Sequence, residues 1–188
     1  MTTEGLDLRR RGLEEEFFRA ENARLLDKLH ARQERNDYKS KTGIRDDRLV
    51  DSLIAHKISP DTMVTVELVP LIYVAWADGT LDKKEHRAII SAAEKYGVVR
   101  NSPGYDSLEY WVQNRPGEDL LEMWTLYIKE FCSRMAPDVV QVFTENLLTF
   151  TRKVAEASGL FPGIDKVSSD EARMIERFES LLAGAAGR

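Results

Sequence analysis

Hydrophobic residues recur at intervals of three and four along most of the chain, which is the pattern of amphipathic helices. The stretch at residues 139–158 shows this spacing with Val142, Phe143, Leu147 and Val154. Glycine and proline are sparse, at 11 and 6 of 188 residues, and no segment alternates between apolar and polar residues as a half-buried strand does. The sequence therefore predicts an all-α bundle of about seven helices that follow an N-terminal helical arm.

The N-terminal part of the chain has an apolar stripe that stops early. Its members are Leu13, Phe17, Phe18, Leu25, Leu26 and Leu29. Residues 30–41 are almost entirely polar, so a helix there has little surface to bury. Two apolar turns are also too few for a coiled coil, which needs three or four heptads. We therefore expect residues 1–43 to form a long charged helical arm that either packs on the rest of the chain or docks on a partner. The candidate partner-binding residues are Phe17, Phe18, Leu25 and Leu29.

Helix boundaries in the remaining chain are marked by proline, glycine and capping residues. Ser59–Pro60 combines a helix cap with proline at the first helical position. Pro70 lies inside an apolar pattern, where it removes a backbone hydrogen bond, so a kink or break is expected near Leu68. We expect residues 44–183 to form one helical domain and residues 184–188 a loose tail.

The net charge of −5 is distributed unevenly. Residues 1–41 carry ten Lys and Arg against nine Asp and Glu, a net charge of +1. The rest of the chain has 17 basic and 23 acidic residues, a net charge of −6. Nucleic-acid binding requires a basic face that displaces counterions, and this acidic body offers none in its sequence. We therefore expect no nucleic-acid partner.

Cysteine use and hydropathy indicate a cytoplasmic protein. Cys132 is the only cysteine, so no intrachain disulfide forms and a reducing compartment fits the chain. The most apolar stretch, residues 68–77, has ten residues, whereas a transmembrane helix needs about 20. The N-terminal arginines precede glutamates and not the apolar run of a signal peptide. These features predict a chain without a transmembrane segment, and peripheral membrane association stays an alternative.

Two short acidic stretches resemble each other, and each ends in a helix-capping pattern. Asp82 stands three residues before Glu85 in the first, and Ser168 stands three residues before Glu171 in the second. This spacing is that of the capping box, in which each side chain bonds the other residue's backbone N–H. Loss of such a cap typically costs about 1 kcal/mol. Helix capping therefore explains most of both stretches without any ligand.

Metal binding is the functional alternative for the same acids. An ordinary calcium loop with Gly79 at its sixth position would place Val74 and Trp76 at two ligand positions, and neither side chain supplies oxygen. A divalent cation, Ca²⁺, Mg²⁺ or Mn²⁺, is still possible if the second acidic stretch completes the site through Asp165, Asp170 or Glu171. The candidate metal ligands are Asp78, Asp82, Glu85 and Glu171.

The stretch LVPLIYVAWADGTLDKKEHRAI, residues 68–89, resembles the TerB-like family, which is named for tellurite-resistance proteins. The family hallmark is a buried helix ending in Ala-Asp-Gly, then an aliphatic residue and a Glu on the next helix. Residues 167–171 are similar to the turn in the second half of that family, so the resemblance covers about residues 47–183. It implies an all-helical fold of roughly seven helices, a link to stress response and membrane-associated complexes, and metal binding by acidic residues. Asp78, Glu85 and Glu171 match the motif positions.

Three functions follow as expectations. The first is a non-enzymatic helical scaffold for protein–protein interaction in a stress-response complex, with the arm binding a protein partner or a second copy of the chain. The second is a divalent-metal sensor that uses the two acidic turns. The third, a metal-dependent hydrolase, has carboxylates but no accompanying nucleophile or base in the sequence. We expect the protein not to be an enzyme.

Overall fold

The protein is described by a computed structural model that covers the backbone of residues 3–157 and 167–187, and the side chains of residues 15–157 and 167–187. Eight α-helices and one 3₁₀ helix make up most of these residues, and no β-strand occurs among them. Seven of these α-helices follow the N-terminal arm. The prediction of an all-α protein is confirmed.

The helices follow one another with short connections. The α-helices are α1 (Thr3–Thr42), α2 (Asp47–Ala55), α3 (Val69–Ala75), α4 (Lys83–Lys95), α5 (Pro103–Gln113), α6 (Glu118–Arg134), α7 (Pro137–Ala157) and α8 (Ser169–Ala185). The 3₁₀ helix spans Pro60–Leu68. Helix α8 extends two residues into the stretch that was predicted to be a loose tail. By its internal contacts the chain divides into two compact units, Met1–Arg45 and Asp46–Arg188.

The first unit is dominated by the 40-residue helix α1, which is about 60 Å long at 1.5 Å per residue. Ion pairs along its surface join side chains one turn apart, including Arg24 and Glu21 at 2.8 Å. The helix ends at Gly43, whose φ of 71° is a left-handed conformation that glycine adopts without strain. The Gly43 N–H donates to the carbonyl of Lys39 at 2.7 Å. Helix α1 therefore ends at Thr42, the residue before this glycine.

The second unit is built around α3, whose seven residues are all buried. Helix α3 packs against α4, α6, α7 and α8, so neighbours surround it. Aromatic rings complete the core on one side. Trp124 and Phe178 meet edge to face with centroids 5.1 Å apart, and Tyr73 packs on Phe178 in the same way at 6.3 Å. A helix with apolar residues all round is typical of this central position.

The predicted break near Leu68 is confirmed, and its form is a change of helix type. Residues Pro60–Leu68 are 3₁₀ helical, and the α-helical hydrogen bonding of α3 begins at Val69. Pro70 therefore lies in the first turn of α3, where its missing N–H has no intrahelical acceptor to lose. Pro70 thus lies at the beginning of α3 and does not disrupt the interior of that helix.

No single helix in the described part of the chain has both the length and the apolar character needed to cross a membrane. Helix α2 and the segment Pro60–Ala75 meet those criteria only as a pair, across a bend of 87°.

Candidate functional site

The first acidic turn joins α3 to α4. Gly79 has a φ of 93°, and its N–H donates to the carbonyl of Trp76 at 3.0 Å. Asp78 then stabilises the turn from its side chain: Oδ1 accepts from the backbone N–H of Thr80 at 2.9 Å and from the Thr80 hydroxyl at 3.1 Å. An aspartate that accepts from the residue two positions later is a common turn-forming arrangement. Asp78 therefore has a structural role in addition to its charge.

Helix α4 begins with the capping box that the sequence predicts. Asp82 Oδ1 accepts from the backbone N–H groups of Lys84 at 2.6 Å and Glu85 at 2.9 Å. In return, Glu85 Oε2 accepts from the backbone N–H of Asp82 at 2.7 Å. Three backbone N–H groups at this helix start thus have side-chain acceptors.

Helix α8 begins with the same arrangement, with serine in place of aspartate. Ser168 Oγ accepts from the backbone N–H of Glu171 at 3.2 Å. Glu171 Oε2 accepts from the backbone N–H of Ser168 at 2.6 Å. Both predicted capping boxes are therefore confirmed.

The two capping glutamates are buried, which the capping pattern does not require. Glu85 is 3% exposed and Glu171 is 2% exposed. One oxygen of Glu171, Oε1, is buried without a hydrogen-bond partner in the described part of the chain. A buried carboxylate oxygen that lacks a partner is costly, because it loses hydration without compensation. This oxygen is the main feature of the site that capping leaves unexplained.

The other three candidate metal ligands all affect the ionisation of Glu85. The pKa of Glu85 is raised to about 7, mainly because burial disfavours its charged form. The hydrogen bond from the Asp82 backbone lowers this pKa, whereas the negative charges of Asp82, Glu171 and Asp78 raise it. The charge of Glu171 at the second turn therefore acts on Glu85 at the first turn.

A shallow depression beside the site is lined from both acidic turns. Ala77 contributes from the first turn, and Asp170, Arg173, Met174 and Arg177 contribute from α8. Its arginines are engaged in ion pairs: Arg173 bonds Asp170, and Arg177 bonds Glu118 of α6. Asp165, the remaining acid considered from the sequence, lies outside the described residues.

The donor set restricts which cation the site suits. In residues 15–157 and 167–187, no three His, Cys, Asp or Glu side chains converge closely enough to form a metal-ligand group. Calcium takes six to eight oxygen ligands, whereas magnesium is often held by one or two carboxylates and keeps several waters. Two carboxylates thus fall short of the ligand number that calcium takes.

The four candidate partner-binding residues lie together on α1 and are exposed. The exposed fractions are 66% for Phe17, 63% for Phe18, 46% for Leu25 and 59% for Leu29. Leu26, between them, is 54% exposed. The rings of Phe17 and Phe18 contact each other edge to face, with centroids 6.0 Å apart. The arm thus presents an apolar surface along slightly more than three helical turns, from Phe17 to Leu29.

A second polar cluster was missed by the sequence reasoning. Glu109 Oε1 is hydrogen-bonded to His86 Nε2 at 3.1 Å and to the Tyr105 hydroxyl at 2.9 Å. Burial raises the pKa of Glu109, but these two hydrogen bonds outweigh it, so the pKa is lowered overall. The four-residue spacing of Tyr105 and Glu109 on α5 is a signal that a sequence carries. Their meeting with His86 of α4 depends on how the two helices pack.

Comparison with known proteins identifies no relative. No family model matches the chain, and neither the curated proteins nor the solved structures include a significant match to it. The resemblance of residues 47–183 to the TerB-like family therefore stays a prediction from the sequence.

Proposed function

We propose that the protein is a non-enzymatic helical interaction module in which the apolar surface of α1 docks on a protein. The observation that carries this proposal is the exposure of Phe17, Phe18, Leu25, Leu26 and Leu29 on one helix. Single exposed apolar residues are normal, but a contiguous exposed group marks an interaction surface.

The free energy available from covering this surface is large enough for docking. Burial of a Phe or Leu side chain contributes about 1.5–3 kcal/mol relative to leaving it in water. Phe17, Phe18 and Leu29 are each more than half exposed, so most of that contribution is still available to a partner. Part of it is lost to the ordering of side chains and to association entropy, so a moderate affinity is expected.

The TerB-like resemblance supports the same conclusion for the body of the chain. The resemblance implies a role in stress-response complexes, in which the all-helical domain would serve as a scaffold. The capping roles of Asp82 and Glu85 agree with a structural use of the family motif, because their hydrogen bonds are internal to the helix start.

Site-specific photocrosslinking from the arm tests docking directly. A photoreactive residue replaces Leu29 in the full chain, which is expressed in its native host. We expect defined crosslinked species that are lost when Leu25→Glu is added, because a charge in the apolar stripe opposes burial. The matched control is Ala31→Glu, which introduces the same charge at an exposed position on the side of α1 away from Leu25 and Leu29. Crosslinks that persist in Leu25→Glu would refute docking through this stripe.

A second function, binding of a divalent cation, is favoured by one specific observation. Glu171 Oε1 is buried without a hydrogen-bond partner among the described residues, and its carboxylate lies in the electrostatic neighbourhood of Glu85. A cation between the two carboxylates would compensate both charges and supply the missing interaction. Glu171 Oε1 would bind such an ion with Glu85 as the second carboxylate, and the exposed Asp78 and Asp82 would add negative potential.

Thermal unfolding with and without metal tests cation binding. A ligand that binds only the native state stabilises it, by about 2.7 kcal/mol at a hundredfold excess over Kd. We therefore expect Mg²⁺ or Mn²⁺ to raise the Tm of the full chain, and Glu171→Gln to abolish this rise. The matched control is Glu176→Gln, at an exposed position on α8 that should respond as the wild type does. A Tm that is unchanged at millimolar Mg²⁺, Mn²⁺ and Ca²⁺ would dismiss the sensor.

A further inference from the structure

Six positions on α1 form a seam with a symmetric spacing. They are Glu15, Phe18, Asn22, Leu25, Leu29 and Arg32. The intervals between them are three, four, three, four and three residues, which keeps all six on one side of the helix. All six side chains are exposed. Because this series of intervals reads the same in both directions, the seam can face its own reversed copy in register.

The chemistry of the seam has the same reversed symmetry. In an antiparallel pair of α1 helices, Glu15 faces Arg32 of the second copy, and Phe18 faces Leu29 of the second copy. Asn22 faces Leu25 of the second copy at the centre. Each contact occurs twice, so both ends of the pair have opposite charges and the interior has apolar contacts.

A parallel pair has the opposite electrostatics. It places Glu15 against Glu15 of the second copy at one end and Arg32 against Arg32 of the second copy at the other. Like charges that face each other across a helix interface are unfavourable and set the orientation of pairing. Asn22 then faces Asn22 of the second copy, a pairing that parallel dimers tolerate. The charges at the two ends are therefore what disfavours the parallel orientation.

We propose that α1 of a second copy of the chain, in antiparallel orientation, occupies the part of the apolar surface of α1 that lies on the seam, namely Phe18, Leu25 and Leu29. This inference rests on the proposed docking function and names its partner. Residues flanking the seam support the orientation. Leu26 lies beside the seam near the centre of the pair, and Glu21 lies on the side that approaches Lys28 of the second copy.

The pair is short and therefore weak. From Glu15 to Arg32 the seam is about 26 Å long at 1.5 Å per residue. Its apolar part has three residues in each chain, with Asn22 as a polar interruption that lowers stability in exchange for register. An interface of this size belongs with transient contacts and not with obligate dimers. We therefore expect a weak, reversible dimer with a Kd of about 100 μM, and not a stable coiled coil.

A charge swap at the ends of the seam tests the pairing. Sedimentation equilibrium of the full chain should show a monomer–dimer equilibrium. Glu15→Arg and Arg32→Glu, each alone, should weaken the dimer roughly tenfold, because each replaces two attractive contacts with repulsive ones. The double variant Glu15→Arg with Arg32→Glu should recover the wild-type dimer. Asp27→Arg is the matched control, since Asp27 is exposed on α1 outside the seam and its reversal should leave the dimer unchanged.

Disulfide trapping determines the orientation. In a Cys132→Ser background, chains with Phe18→Cys are mixed with chains with Leu29→Cys and oxidised. Antiparallel pairing predicts disulfides mainly between the two kinds of chain, with Phe18→Cys chains alone giving little dimer. Efficient self-crosslinking of Phe18→Cys chains would overturn the antiparallel arrangement.

The outcomes separate this inference from the function on which it rests. A chain that stays monomeric at high micromolar concentration overturns self-pairing. If the photocrosslinks from Leu29 to another protein nevertheless depend on Leu25, docking stands with a different occupant. If the sole crosslinked species is a dimer of the chain itself, both proposals are supported together.

Discussion

Glu85 and Glu171 each cap a helix and are also buried, and these two roles act on the charge of the carboxylate in opposite directions. As capping residues, both carboxylates accept a backbone N–H at a helix start. As buried groups, both lose hydration, and each adds negative charge to the surroundings of the other. The raised pKa of Glu85 is the direct result of this conflict, because a proton relieves the charge that burial and its neighbours oppose.

This conflict predicts an unusual dependence of stability on pH. The pKa of Glu85 is about 7 in the folded chain and near the ordinary value of 4.5 when unfolded. Between these values the folded state binds more protons than the unfolded state, so the free energy of unfolding falls as pH rises from 4.5 to 7. The wild type should lose roughly 1–3 kcal/mol of unfolding free energy across this window, and Glu85→Gln should remove that loss. Denaturant titration at several pH values measures the difference.

The control for this titration is Glu122→Gln, an exposed carboxylate on α6. It should keep the pH dependence of the wild type. If Glu85→Gln also keeps the wild-type pH dependence, Glu85 is not its source, and the electrostatic account of the site is wrong.

The beginnings of α4 and α8 differ in one chemical detail. The cap of α4 is Asp82, which is charged and raises the pKa of Glu85, whereas the cap of α8 is the neutral Ser168. Both accept the backbone N–H of the residue three positions later. The two helix starts therefore have the same hydrogen-bond pattern with different electrostatic consequences.

Alanine substitution of the two caps should separate hydrogen bonding from charge. Ser168→Ala removes a cap and should cost about 1 kcal/mol of stability. Asp82→Ala removes a cap but also a charge that opposes ionisation of Glu85, so we expect a smaller cost at pH 8. At pH 5, where Glu85 is protonated, the two costs should become similar. Urea unfolding at both pH values measures this, and an equal cost at pH 8 would contradict it.

Across the whole molecule, apolar residues divide into those that fill the core and those that α1 exposes. Phe178 is fully buried between Trp124 and Tyr73, whereas Phe18 is 63% exposed. The same residue type therefore serves stability at one position and is available for binding at the other.

A pair of substitutions measures this division. Phe178→Ala should destabilise the chain by about 3–5 kcal/mol, because it leaves a cavity in the core. Phe18→Ala should leave the free energy of unfolding within about 0.5 kcal/mol of the wild type, since the side chain is already in water. Thermal unfolding at low protein concentration, where self-association is minimal, provides the comparison. A large loss of stability from Phe18→Ala would mean that α1 is part of the core.

Local signals were enough to predict the helices and their beginnings. The caps at Asp82 and Ser168 are properties of a few consecutive residues, and the structure has them at those positions. Pro70 likewise predicted a break from its own chemistry, because a missing N–H and a rigid ring act within one turn. Only the 3₁₀ geometry of Pro60–Leu68 required the structure.

Burial and proximity, by contrast, were decided by tertiary packing. Nothing in the local sequence of Glu85 distinguishes a solvated capping carboxylate from one that is 3% exposed, and nothing in it indicates that Glu171, 86 positions later, lies nearby. The same holds for His86 and Glu109, which meet across two helices. Hydrogen bonds within a turn depend on neighbours in the chain, whereas desolvation and charge coupling depend on neighbours in space, and those exist only once the helices have packed.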